Sequence, residues 1–293
     1  MTASAGAPRS PSEARAAALA DARRFAAARR PADLIRQWAT DASLTPSPLD
    51  QRTVVAYDAV ALDAAAGYEA LLLSPVAPLG TNSVVAPTSQ DRTLTTTRST
   101  EVVSDPTNVL ALEAAARLRE APDARVRLCS VHQTLRPQAV PIPSGHTTHF
   151  RLFALADAGR GLPDDAFEVH AIIDQAAVHL RLLDAAAERF GLAVGRATAS
   201  ILADADSNVL ADRVADALGR RLPGLELERA LLASTYYRGI RVLIRVADAA
   251  GAELDLVDIG AFDWAGRLTS DARQRFVASA IGLQLLPLRF AVR

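Results

Sequence analysis

Two adjacent tyrosines, Tyr236 and Tyr237, stand at the head of a β-branched run, residues 240–246, and a Gly-x-Phe-Asp segment from Gly260 to Asp263 closes the run that follows. Phenols stack on rings and offer one hydroxyl each, so a buried hairpin with phenols at one end and Gly260 at the other suits the wall of a small-molecule pocket. The same tyrosines would equally serve as core filler with their hydroxyls at the surface. Asp105 and Thr107 supply a carboxylate and a hydroxyl of the kind that holds an ammonium group, and Asp105 also reads as a helix cap. His132 and Gln133 sit on a strand that could face a ligand, whereas Cys129 on that strand reads as core. His146 and His149 lie three apart with no third ligand at a useful spacing, so no metal site is expected. His170 and His179 read as surface or boundary residues of a long helix. No Ser–His–Asp arrangement and no phosphate-binding loop stands out.

The totals narrow the class. The chain has 293 residues, half of them hydrophobic, and a net charge of −1. That fits a globular protein with no general attraction for nucleic acid or anionic membranes. Alanine makes up roughly a fifth of the chain, and every basic residue is arginine, which rules out Schiff-base and phosphate-loop lysines. The single cysteine, Cys129, excludes an intrachain disulfide and points to a cytoplasmic setting. No apolar run approaches the roughly 20 residues that span a bilayer, and no secretory signal is expected.

Residues 1–44 read as a flexible segment followed by two helices, the second docking on the body through Leu34, Ile35 and Trp38. Residues 45–293 read as the folded core. Short strands are expected at 53–57, 69–74 and 94–97, and a helix at 107–118 capped by Asp105. Strands at 125–134 and 149–156 flank a proline-rich loop, 137–145. A long helix follows at 164–190, stopped by Gly191, then a strand at 192–202 and a helix at 207–221 capped by Ser207. A strand at 225–232, a hairpin of 240–246 with 253–259, and a last helix from Asp271 capped by Ser270 complete the series. Such runs favour an antiparallel α+β sheet over regular βαβ units.

This order resembles the catalytic domain of histidyl-tRNA synthetase. Tyr236-Tyr237, the second strand with its Gly-x-aromatic-Asp and Ala280-Ile281-Gly282-Leu283 fall where that family has Asp-Tyr-Tyr, Gly-Gly-Arg-Tyr-Asp and Gly-Leu-Glu-Arg. Ser104-Asp105-Pro106-Thr107 falls on Pro-Glu-Gly-Thr, and Arg136-Pro137-Gln138 followed by Phe150 resembles the second class II motif. The resemblance covers roughly residues 45–290. It implies a class II aminoacyl-tRNA synthetase-like antiparallel sheet flanked by helices, usually a homodimer.

The departures point away from aminoacylation. The arginine of the second motif falls at Gln133 and its glutamate at Leu135. The arginine before the double tyrosine falls near Leu232, and that of the third motif at Leu285. The histidine-binding Gln and Glu appear as Leu152 and Ala156. ATP activation needs fixed cations against its phosphates, and leucine supplies none. Arg136, Arg151 and Arg241 remain nearby. No tRNA-contacting insertion and no anticodon-binding domain are expected. The resemblance therefore implies a non-catalytic paralogue like the regulatory subunit of ATP phosphoribosyltransferase. It would bind an amino acid or related metabolite through Asp105, Thr107, Gln133, Arg136, Arg151, Tyr236, Tyr237 and Gly260, without cofactor, as a homodimer and with a possible partner enzyme. The alternative is a carboxylate-activating enzyme that uses ATP and Mg²⁺ on a non-tRNA acceptor.

Overall fold

A computed structural model describes residues 10–138 and 147–292. His146 and most of the expected proline-rich loop lie outside the described residues, as does most of the expected flexible N-terminus. In chain order the elements begin with α1 (Pro11–Ala27), α2 (Pro31–Thr40), α3 (Gln51–Ala64), β1 (Glu69–Ala70), β2 (Val76–Pro78) and β3 (Thr100–Val102). Next come α4 (Pro106–Glu120), β4 (Val126–Leu135), β5 (His149–Arg160), α5 (Ala166–Phe190), β6 (Ala197–Ala203) and α6 (Asn208–Arg221). The chain then forms β7 (Glu226–Leu231), β8 (Ile240–Ala247), β9 (Glu253–Phe262), α7 (Trp264–Thr269), β10 (Gln274–Gly282) and α8 (Leu285–Arg289).

Eight strands make one sheet in the order β1-β4-β5-β10-β9-β8-β6-β7, and β2 pairs with β3 in a small separate ribbon. The sheet is antiparallel except at its edges, where β1 runs parallel to β4 and β7 parallel to β6. One face carries Phe153, Leu155, Val242, Ile244, Val257 and Ile259 against α3, α5 and α6. The other carries Leu128, Ala154, Ala156, Phe276 and Ala278 against α4 and α7. Those two helices cover only one end of that face, and the other end stays open. Across β8 and β9 the register slips by one residue between Ile244 and Arg245. Val257 stands opposite Ile244 and Asp255 opposite Arg245, so Leu256 is the extra residue of a β-bulge.

Several expectations need correction. Residues 53–57 are helical: Asp50 caps Arg52 N at 2.8 Å, and Tyr57 buries its ring by stacking on Phe190 at 4.1 Å. The β-branched Thr53, Val54 and Val55 each cost a few tenths of a kcal/mol in a helix, and burial of that face outweighs them. The expected helix from Asp271 is instead the central strand β10, and Ser270 is a left-handed residue ending α7. β10 is covered on both faces around Phe276–Ala278 and lines the cleft with the small residues Ala280 and Gly282, so it shows no polar alternation and its pattern imitates a helix. Ser207 precedes α6 without a side-chain capping bond. The expected strand at 69–74 shrinks to Glu69–Ala70, and that at 94–97 to a single bridge, Thr95 to Glu101.

The N-terminal helices form as expected but do not dock. Neither α1 nor α2 buries a residue, and Leu34, Ile35 and Trp38 are 55%, 65% and 50% exposed. His179 is not a boundary residue. It is fully buried against β10, with Nε2 2.8 Å from Ser279 Oγ, and burial pushes its pKa down to about 3. Among the described residues no helix is long and apolar enough to cross a membrane.

Candidate functional site

The open end of the sheet forms a cleft of about 660 Å³. Phe150 and Leu152 of β5, Ala280 and Gly282 of β10, Leu256 and Asp258 of β9 and Arg241 of β8 form its floor. Asp105 and Arg136 close one side, Tyr236 and Tyr237 another, and Pro87, Thr88 and Arg92 overhang it. Gln284 and Leu285, at the start of α8, complete the wall.

The tyrosines lie on the loop before β8 and lean on an aromatic group shared with the core. Tyr236 meets Tyr237, Phe262 and Trp264 edge-on, with centroids 5.0, 5.5 and 5.8 Å away. Tyr237 lies directly over Gly260, whose missing Cβ makes room for the ring: a Cβ there would come within 2.3 Å of Tyr237 Cδ1. Gly260 is thus the seat of a cleft residue rather than a lining residue. The Tyr237 hydroxyl donates to Asp258 Oδ2 at 2.6 Å, and Arg241 grips both oxygens of that carboxylate at 3.0 and 2.8 Å. The Arg241 guanidinium also sits 4.9 Å from the Tyr237 ring centre. Burial, reinforced by Asp258, pushes the Tyr237 phenol far above its ordinary pKa, and burial with Asp105 does the same to Tyr236. Both phenols stay protonated, so each offers a neutral hydroxyl that can donate or accept, and a ring face that can stack.

Asp105 caps α4 through Thr107 N at 3.0 Å, accepts the Thr107 hydroxyl at 2.7 Å and takes Arg136 Nη2 at 3.2 Å. Cap and ion pair therefore use the same carboxylate. Thr107 is buried behind it and does not reach the cleft. Arg136 is further fixed by Ser104 O at 2.9 Å and lies 5.3 Å from the Phe150 ring centre.

Two sequence candidates point the other way. Gln133 and Arg151 stand opposite each other on β4 and β5, on the face turned to α3. There Arg151 pairs with Asp58, and Gln133 bonds His149 Nδ1 at 2.9 Å. Strand parity decides this: a placement uncertain by one residue puts a side chain on the wrong face of the sheet. His149 Nε2 is 2.6 Å from Thr45 O, so its ring ties the segment before α3 to β5. His132 lies on the cleft face beside Leu152 but is buried, and burial lowers its pKa. Cys129 is fully buried, as expected. Leu285, where the resemblance expects an arginine, lines the cleft, as does Leu152, where it expects the histidine-binding Gln; Ala156, in place of the Glu, packs under α4. Leu232 borders a neighbouring hollow beyond the tyrosine loop.

Three lining charges were not singled out in the sequence as site residues: Arg92, Asp255 and Asp258. Asp255 and Asp258 are visible there only as polar positions of a strand. Arg92, in a Ser-Gln-Asp-Arg turn, gives no signal at all. Within this cleft three arginines face three aspartates, and the field is balanced rather than strongly positive.

No protein-family model and no curated protein sequence matches the chain. Solved structures do. Apo histidyl-tRNA synthetase from S. aureus superposes with a TM-score of 0.59 at 13% identity, over 83% of this chain and 68% of that one. The chain has the fold of a class II aminoacyl-tRNA synthetase catalytic core. An ATP phosphoribosyltransferase regulatory subunit/histidyl-tRNA synthetase from Bacillus halodurans C gives a TM-score of 0.59 at 12% identity, covering 83% of this chain and 80% of that one. Histidyl-tRNA synthetase from Nostoc sp. PCC 7120 gives 0.56 at 13% identity, over 83% and 73%.

Proposed function

We propose that the chain is a non-catalytic, synthetase-like protein that binds an amino acid or a related metabolite in this cleft and acts in regulation or assembly. Its functional unit would be a homodimer, alone or with a partner enzyme. The carrying observation is charge pairing: Arg136 and Arg241 are engaged by Asp105 and Asp258 at 3.2 and 2.8 Å. Two of the three lining guanidiniums are thereby neutralised, and Leu285 occupies a position where the resemblance expects a cation. A triphosphate needs uncompensated positive charge, whereas a small ligand with one amine and a ring fits a balanced, tyrosine-walled cleft. A neighbour of the same fold, named as an ATP phosphoribosyltransferase regulatory subunit/histidyl-tRNA synthetase, supports the regulatory sense. Calorimetry with the protein amino acids tests the reading; failure of every one to bind counts against it.

One observation favours a second reading. Arg92, Arg136 and Arg241 all line the same cleft. A ligand able to displace the two aspartates would meet three guanidiniums, which suits an adenylate-forming enzyme using ATP and Mg²⁺. Pyrophosphate exchange separates the two: robust exchange with any carboxylic acid overturns the non-catalytic reading.

A further inference from the structure

Among the six charged residues that line the cleft, two are left over after pairing. Arg136 is matched by Asp105 and Arg241 by Asp258. Arg92 and Asp255 form no ion pair among the described residues, and the chain outside them contains no Asp or Glu side chain that could reach Arg92.

Both are placed by built features. Arg92 ends the short turn Gln90–Arg92. That turn is pinned by Glu101, a carboxylate only 2% exposed. Glu101 accepts from Gln90 Nε2 at 2.7 Å and from the backbone of Gly80 and Asn82 at 2.8 and 2.7 Å. Asn82 in turn holds Ser89 O at 2.9 Å, so the overhang carrying Arg92 is fixed at several points. Asp255 owes its position to the bulge. Residues three apart in a regular strand point to opposite faces, yet Asp255 stands opposite Arg245 and Asp258 opposite Leu243, both on the cleft face of β8. The two charges without an ion pair among the described residues reach the cleft from different elements, Arg92 from the overhanging turn and Asp255 from β9.

We infer that Arg92 and Asp255 set the specificity of the cleft, Arg92 reading the carboxylate and Asp255 the amine of a dipolar ligand. Asp105 is already occupied by its helix cap and by Arg136, so the amine goes to Asp255, the lining carboxylate with no ion pair among the described residues. This assignment rests on the amino-acid-like ligand proposed above.

Two trios of compounds with a shared ring test it by calorimetry. The first is L-histidine, histamine and imidazole-propionic acid. The second is L-tyrosine, tyramine and 3-(4-hydroxyphenyl)propionic acid. In the wild type, the amino acid of at least one trio binds about fivefold tighter than either fragment, the size expected for one solvent-accessible charge contact. Arg92→Ala erases the preference over the amine and keeps that over the acid; Asp255→Asn does the reverse. Both side chains are exposed, and circular dichroism of each variant verifies folding. Unchanged preferences in the variants overturn the assignment. A wild type that binds fragment and parent alike also overturns it while leaving the ligand reading intact. Silence toward all six compounds overturns the assignment, while the ligand reading falls only if every protein amino acid fails to bind.

Discussion

Replacing Gly260 with alanine isolates the contact that seats Tyr237. The new Cβ would lie 2.3 Å from Cδ1 and 2.7 Å from Cε1 of the ring, with Phe262 Cζ at 3.3 Å. The ring cannot yield freely, because its hydroxyl is bonded to Asp258 and its face is covered by Arg241. Overpacking of this kind costs about 1–3 kcal/mol. Gly260 is not among the positive-φ glycines, so its backbone accepts alanine, and a strand alanine returns about 0.5–1 kcal/mol. The expected net loss in urea unfolding is about 1–2 kcal/mol. In a Tyr237→Ala background the clash vanishes, and Gly260→Ala becomes neutral or slightly stabilising. The four proteins form a double-mutant cycle with a coupling of about 1–3 kcal/mol. Equal destabilisation in both backgrounds would refute the ring-on-glycine account.

Other consequences are open to simple measurement. His179 is held neutral down to a pKa of about 3, while the unfolded chain titrates near 6.5, so between these values the unfolded state carries the extra proton. Stability therefore rises with pH there by about 1.4 kcal/mol per unit, and His179→Gln flattens that slope; identical urea midpoints against pH in both proteins would contradict it. Asp105→Asn keeps the cap on Thr107 but releases Arg136, so stability changes by less than about 1 kcal/mol while calorimetric affinity for inorganic pyrophosphate rises. Asp105→Ala loses the cap as well and unfolds about 1 kcal/mol more easily. Removal of residues 1–40 shifts the urea unfolding free energy by less than about 0.5 kcal/mol, because α1 and α2 bury nothing. A larger loss would mean that Leu34, Ile35 and Trp38 stabilise the body.

The readable parts of this chain were those where one local signal acts alone. The helix α4 follows from Asp105 and Pro106, α5 from its apolar spacing up to Gly191, and the β8–β9 hairpin from alternation around the Asp248–Gly251 turn. Misreadings arose where burial overrode the local pattern. Residues 53–57 are β-branched yet helical because Tyr57 stacks on Phe190, and β10 lacks polar alternation yet is a strand because β5 and β9 pair with it on both sides. In the cleft, Asp105, Arg136, Tyr236 and Tyr237 come together, while Gln133 and Arg151 fall on the far face through strand parity alone. Arg92 enters through a turn organised by the distant Glu101, a relationship that no short window of sequence contains.

The bulge at Leu256 has a further effect on how this chain tolerates change. A ladder normally fixes every residue by counting from its ends, so a single insertion or deletion inverts all that follows. In β9 the count restarts at Leu256, and the hairpin end, Glu253–Asp255, is decoupled from the end that carries Asp258 and Gly260. Leu256 is therefore a place where the chain could shed a residue and still zip correctly, which makes it a natural hinge for length variation on the cleft's rim.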